Sequence, residues 1–203
     1  MSTARNRTRR ELEASQWEAQ QKRRRNITIG AWAGAGLLFI AMLVFLVVQE
    51  LRPEDLPGTE VPIQGSDHVD PGMPHDPYNS EPPTSGPHYA STAETGFYEE
   101  APLDEYLVHN LEHGHTIIWY NCTDLSEADC TALKDDIRNV MGRAGVSLIT
   151  GTPKVNAVPR PTMETTLALT SWGRIDTFDE FDANRILAFI RAHRDNAPEP
   201  NAP

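Results

Sequence analysis

Residues 107–120, LVHNLEHGHTIIWY, place three histidines and a glutamate within seven positions and then run into an apolar segment. The second half, 115–121 (HTIIWYN), is rich in β-branched and aromatic residues and is expected to form a strand. The first half has two readings. If it is extended, His109, Leu111, His113 and His115 share one face; if it is helical, His109, Glu112 and His113 do, and Gly114 weakens the helix beyond them. In both, at least two imidazoles converge.

Downstream, Ser126 begins a helix with Asp129 three positions on, in the manner of a capping box, and the pattern SEADCTALKDDIRNVMGR carries it to about Met141. A short strand is expected over 146–150 (VSLIT) and another over 165–171 (TTLALTS). In TFDEFDANRILAFIRAHR, Phe178, Phe181, Ile186, Phe189 and Ile190 lie on one stripe, predicting an amphipathic helix capped near Thr177 or Asp179. Strand, helix, strand, strand, helix makes an α+β domain with a mainly antiparallel sheet and two helices on one face. A split βαβ, ferredoxin-like arrangement is the first topology expected.

Upstream, prolines recur from residue 51 to 87 too often for regular structure to persist. Residues 49–66 are taken as a Pro-rich spacer and 67–194 as the folded domain, because a pure spacer has no need of His68, Met73, His75, Tyr78, His88 and Tyr89. The tail 195–203, DNAPEPNAP, is expected to be disordered.

Residues 27–48, ITIGAWAGAGLLFIAMLVFLVV, carry no charge, which is enough apolar chain to cross about 30 Å of hydrocarbon as a helix. The transmembrane helix is placed at 26–48. Before it, residues 1–25 hold eight arginines and lysines against three glutamates, a net +5 that marks the cytoplasmic side. No A-x-A-like cleavage site follows, so an uncleaved single-pass anchor is expected rather than a signal peptide. The bilayer is then one partner, and the Gly30 and Gly34 spacing suits a homodimer of such helices. The whole chain carries −11, so everything after residue 25 carries −16, and this acidic external part is unsuited to nucleic acid. Cations, metals or basic surfaces of envelope proteins fit better. The two cysteines, Cys122 and Cys130, lie in this external part and are expected to form a disulfide.

Six of the seven histidines fall between 68 and 115. The expected metal ligands are His88, His109, His113 and His115, with His75 and Met73; the loop carrying His68, Met73, His75 and His88 is expected to fold over and supply those that the 107–115 stretch does not. Glu112 and Asp104 are expected to orient the imidazoles from behind. A thioether beside imidazole favours copper, with zinc the second choice. The competing view makes these side chains a polar network satisfied by main-chain carbonyls; His193, in the last turn of the final helix, complements the helix dipole. Hydrolytic candidates are thin. Ser85 lies in PPTSGPHY, which is not a G-x-S-x-G elbow, and the pairs Glu99–Glu100 and Asp135–Asp136 are adjacent in sequence and point apart.

The blocks YNSEPPTSGPHY (78–89), GFYEEAP (96–102) and LVHNLEHGHTIIWY (107–120) resemble a bacterial, membrane-anchored family catalogued as domain of unknown function 3105 (DUF3105). The resemblance spans roughly 60–195 and implies that Pro83, Gly86, His88, His109, Glu112, His113 and Gly114 occupy signature positions; it implies no activity. The expectation is a membrane-anchored extracytoplasmic domain that holds or hands on a transition metal. Two alternatives stand beside it: an envelope interaction module with a structural histidine network, and a zinc-dependent hydrolase using Glu112 as base.

Overall fold

A computed structural model of the chain describes residues 17, 23, 24, 32, 34–45 and 56–202, and divides into two units, 1–55 and 56–203. In the first unit, residues 34–45 are helical and their large apolar side chains are exposed. Apart from Trp32, the rest of the expected 26–48 span, Gly30 included, lies outside the described residues. Among those described, no helix is long and apolar enough to cross a membrane.

The second unit is built on a five-stranded mixed sheet: β1 (Thr59–Glu60), β2 (Thr116–Tyr120), β3 (Val155–Pro159), β4 (Leu167–Ser171) and β5 (Arg174–Phe178), in the order β1-β5-β4-β2-β3. β2 and β3 are parallel and adjacent; the other pairs are antiparallel. Three helices complete it: α1 (Asp104–Glu112), α2 (Glu127–Arg143) and α3 (Ala183–His193). The α+β class is as expected. The split βαβ topology is not what forms, because that arrangement needs a strand between the two parallel ones and here β2–α2–β3 closes directly.

β2 is an interior strand, between β4 and β3, and is buried along its whole length, which is why TIIWY reads as a nearly continuous apolar run. Period two sends Ile118 and Tyr120 into a core with Leu133, Ile137 and Val140 of α2 and Ile186, Phe189 and Ile190 of α3. Ile117 and Trp119 point the other way, into a second cluster with Leu107 and Leu111 of α1. Helices thus cover both faces rather than one. Ser126 caps α2 as expected, its hydroxyl accepting from the Asp129 amide at 3.2 Å.

Three elements differ from expectation. Residues 146–150 are a turn: Gly145 and Gly151 have positive φ, the Ser147 hydroxyl accepts from the amides of Ile149 and Thr150, and Leu148 is 99% exposed. The strand comes later, as VNAVP, at the sheet edge where a proline is tolerated. That edge is shielded by residues 96–98, with Ala157 donating to Gly96 and accepting from Tyr98. Residues 174–178 form β5, joined to β4 through Trp172 and Gly173, so Phe178 ends a strand and the helix begins only after Asp182, whose carboxylate caps it.

The sheet also recruits chain from both flanks. Thr59–Glu60 pairs with β5, and the Val61 amide donates to Gly173, within the stretch assigned to the spacer. The tail is not disordered over its described residues: the Asp195 amide donates to Gly114 and that of Glu199 to Glu112. His193 is buried and its Nε2–H donates to the Pro57 carbonyl at 2.7 Å, so it ties the start of the domain to α3 rather than complementing the dipole in solvent.

Candidate metal centre

The helical alternative holds for residues 104–112. Asp104 and Glu105 in the first turn suit the positive end of the helix, and Leu107 and Leu111, four apart, lie against the sheet. His109, Glu112 and His113 therefore share the face turned away from the sheet. The helix stops at Gly114, whose φ of +86° supplies the left-handed residue a helix end prefers. A Cβ there would stand 2.7 Å from the Asp195 backbone, so the close passage of the tail also requires glycine.

Over this face lies the Pro-rich segment as a strap. The His88 amide donates to Asp67 and the Val69 amide donates to His88, a short parallel bridge that sets His68 beside His88. Tyr78 Oη donates to the Pro87 carbonyl and the Gln64 amide donates to the Ser85 hydroxyl, so Ser85 is a structural acceptor. Gly86 has φ +128°, and a Cβ on it would meet the Tyr78 ring at 2.9 Å. The strap is fastened to α1 by Arg160, which donates to Glu81 at 2.7 and 2.8 Å and to Asp104 at 2.7 and 2.9 Å. Asp104 is thus committed to Arg160, not to an imidazole. Arg160 holds the Glu81 carboxyl below its ordinary value, whereas burial, outweighing Arg160, raises that of Asp104.

Strap and helix bring His68, His88, His109 and Glu112 together, with one donor atom from each within 4.8 Å of the others. His88 Nε2 is 2.9 Å and His68 Nε2 3.7 Å from Glu112 Oε2. His88 and Glu112 are buried; the His68 side chain is 47% exposed and gives the cluster an open edge. A second group, His109, His113 and Glu199, adjoins the first through His109. There the two Nε2 atoms of His109 and His113 are 2.9 Å apart, and Glu199 Oε2 is 3.6 Å from His113 Nε2.

The hydrogen bonds behind the rings fix their chemistry. His88 Nδ1 lies 2.8 Å from the Gly86 carbonyl and His109 Nδ1 lies 2.6 Å from that of Tyr89. A carbonyl only accepts, so each Nδ1 carries the hydrogen and the Nε2 lone pair is the one left to ligate, that of His88 facing Glu112 and that of His109 facing His113. For His88 that lone pair faces a carboxylate oxygen at 2.9 Å. Two acceptors at such a distance attract only when a proton or a metal cation lies between them. Burial pushes the His109 imidazole below its ordinary value; the nearby imidazoles of His113, His88 and His68 act in the same direction against the bond to Tyr89. The neutral, ligating form of His109 is thereby favoured.

Of the expected ligands, His88, His109 and His113 are brought to these groups. His115 is buried but belongs to neither. His75 bonds the Asp76 carbonyl at 2.7 Å and Glu105 at 3.3 Å, apart from the cluster. Met73 is 58% exposed. Glu112 stands among the donors rather than behind them. His68 entered the expectation only as part of the loop that could supply further ligands, and Glu199 was not expected at all, since no signal in the sequence pointed to it. Cys122 and Cys130 form the expected disulfide.

No curated protein and no solved structure matches the chain. Residues 68–203, which carry the whole of both histidine groups, match the family described as "Protein of unknown function (DUF3105)", and the chain belongs to that family.

Proposed function

We propose that the chain is a membrane-anchored, extracytoplasmic metal-holding domain whose ion is bound by His68, His88, His109 and Glu112. The observation that carries this is that one donor atom each from His68, His88, His109 and the buried Glu112 lies within 4.8 Å of the others, while the carbonyls of Gly86 and Tyr89 hold Nδ1–H on His88 and His109 and leave their Nε2 lone pairs to ligate. Main-chain carbonyls behind ligating imidazoles are the usual means of fixing tautomer and orientation at metal sites. The uncharged stretch at 27–48, the basic residues before it and the Cys122–Cys130 disulfide support the anchored, extracytoplasmic placement.

The preference for copper rested on Met73, whose side chain is 58% exposed to solvent. Three imidazoles and one carboxylate form a donor set suited to tetrahedral zinc. We therefore assign zinc, in a site where four protein donors complete the coordination and leave Glu112 a ligand rather than a general base. Such a closed set holds an ion instead of activating water on it.

The test is metal content. Full-length protein loaded with zinc and dialysed against metal-free buffer retains about one ion per chain, and His88→Ala and Glu112→Gln lose it. Copper retained in preference to zinc would overturn the assignment of the ion. A folded wild-type protein that returns empty would overturn metal holding altogether and leave the histidines as a structural network.

A further inference from the structure

The two histidine groups share one residue, and that residue has a single lone pair to give. His109 Nδ1 donates to the Tyr89 carbonyl at 2.6 Å, which leaves Nε2 as the nitrogen that can ligate, and His109 is a member both of the group with His68, His88 and Glu112 and of the group with His113 and Glu199. Both groups cannot hold an ion at once through the same nitrogen. They differ in burial: His88 is fully buried and Glu112 nearly so, whereas the Glu199 side chain is 55% exposed. They differ also in origin, since Glu199 comes from the C-terminal tail.

That tail is held in place by a buried cation. The Lys154 side chain is fully buried at the start of β3, and its ammonium donates to the His113 carbonyl at 2.7 Å, to the Pro200 carbonyl at 2.9 Å and pairs with Asp195 at 3.2 Å. Three donors thus meet three acceptors, which is what a buried ammonium requires. Two of those acceptors flank Glu199 in the tail and the third is the carbonyl of His113 itself. The Glu199 amide donates to the Glu112 carbonyl, fixing the tail against the end of α1. Glu199 is therefore positioned near His113 by contacts to the buried Lys154 ammonium.

We propose that His109, His113 and Glu199 form an outer seat from which one metal ion passes to the inner seat of His68, His88, His109 and Glu112, with His109 as the ligand common to both. This rests on the metal-holding function proposed above and adds a route to it. In the outer seat the ion meets a partly exposed carboxylate and two imidazoles; in the inner seat it exchanges His113 and Glu199 for two further imidazoles and a buried carboxylate while His109 remains bound. Net ligand charge is the same in the two seats, one carboxylate in each, so the transfer leaves the charge of the ligand set unchanged. Lys154 is a positioning residue for the outer seat.

Cobalt(II), whose visible absorption reports its ligand set, is the probe, added to the purified full-length protein. Wild type binds one ion per chain. Glu199→Gln and His113→Ala reach the same final spectrum and the same stoichiometry but load about tenfold more slowly in stopped flow, because the carboxylate that draws the cation in, or its neighbour, is gone. His88→Ala binds cobalt more weakly and with a different spectrum, that of the outer seat, and this residual binding is abolished by adding Glu199→Gln. Lys154→Met, if folded by circular dichroism, loads as slowly as Glu199→Gln. Two ions per chain, or wild-type loading rates in both Glu199→Gln and His113→Ala, would overturn the two-seat route while leaving the inner site standing. No cobalt bound by folded wild type would overturn both.

Discussion

Among single residues, the site depends on which nitrogen carries a hydrogen, and that is decided by carbonyls two residues from one ring and twenty from the other. Gly86 is the point where backbone and chemistry meet. Its φ of +128° aims the carbonyl that His88 uses, and it leaves room for the Tyr78 ring. Gly86→Ala is expected to cost about 1–3 kcal/mol of stability through strain and crowding, measured by chemical denaturation, and to weaken zinc binding beyond that, measured by titration. An alanine variant of wild-type stability and affinity would show that the strap does not need this conformation. The sequence displayed the histidines but not their partners. The choice between His115 and His68 was undecidable from spacing alone, because it turned on residues 104–112 being helical and on a bridge between residues 68 and 88.

At the level of elements, α1 and the strap form one unit held by Arg160 between Asp104 and Glu81. Arg160→Gln should destabilise the fold by about 2 kcal/mol, since it breaks charged hydrogen bonds to a mostly buried carboxylate, with the outer, half-exposed Glu81 adding less. Thermal melts measure it; an unchanged melting temperature would assign the strap's attachment to its main-chain bonds alone. α3 carries a second tie, His193 to Pro57. Burial holds the His193 imidazole below its ordinary value of 6.5. The folded protein thus takes up this proton less readily than the unfolded chain, so the stability it contributes is complete above about 6.5 and is lost as pH falls below that value. His193→Gln keeps a donor for Pro57 without the titration. The wild-type advantage over this variant in melting temperature should shrink between neutral pH and mild acid; a difference independent of pH would contradict it.

The strands explain which elements were legible. β2 announced itself because a strand buried on both faces must be apolar throughout, and α2 did so through its cap. β3 and the loop before it reversed their signals: VSLIT has strand composition but lies between two positive-φ glycines, while VNAVP, poor in composition, gains its pairing from β2 and its cover from residues 96–98. Tertiary pairing overrode propensity in both. β5 was hidden because Phe178 fits the helical stripe as well as it fits a strand end.

For the whole molecule, metal and disulfide act on the same equilibrium from different sides. The eight-residue separation of Cys122 and Cys130 closes a short loop at the start of α2, and reduction should cost about 2–3 kcal/mol in the chain-entropy account. On the proposed function, zinc binds only the folded state in which strap and α1 are assembled. At a free concentration one hundred times its Kd it should therefore add about 2.7 kcal/mol of stability. Calorimetry of full-length protein with and without zinc and with and without reductant should show two increments that add, because the two sites share no residue. An increment from zinc that vanishes on reduction would couple them and contradict this separation. That the tail belongs to the fold was invisible in DNAPEPNAP: its order comes from Lys154 and from the carbonyls of Glu112 and Gly114, which composition does not display.

The account stands on three imidazoles and one carboxylate from two distant parts of the chain meeting at one ion. X-ray absorption at the zinc edge, on full-length protein carrying one equivalent, addresses it most directly. The prediction is a four-coordinate shell of nitrogen and oxygen at about 2.0–2.1 Å with the outer scattering of three imidazoles. A shell of water oxygens without imidazole scattering would contradict it.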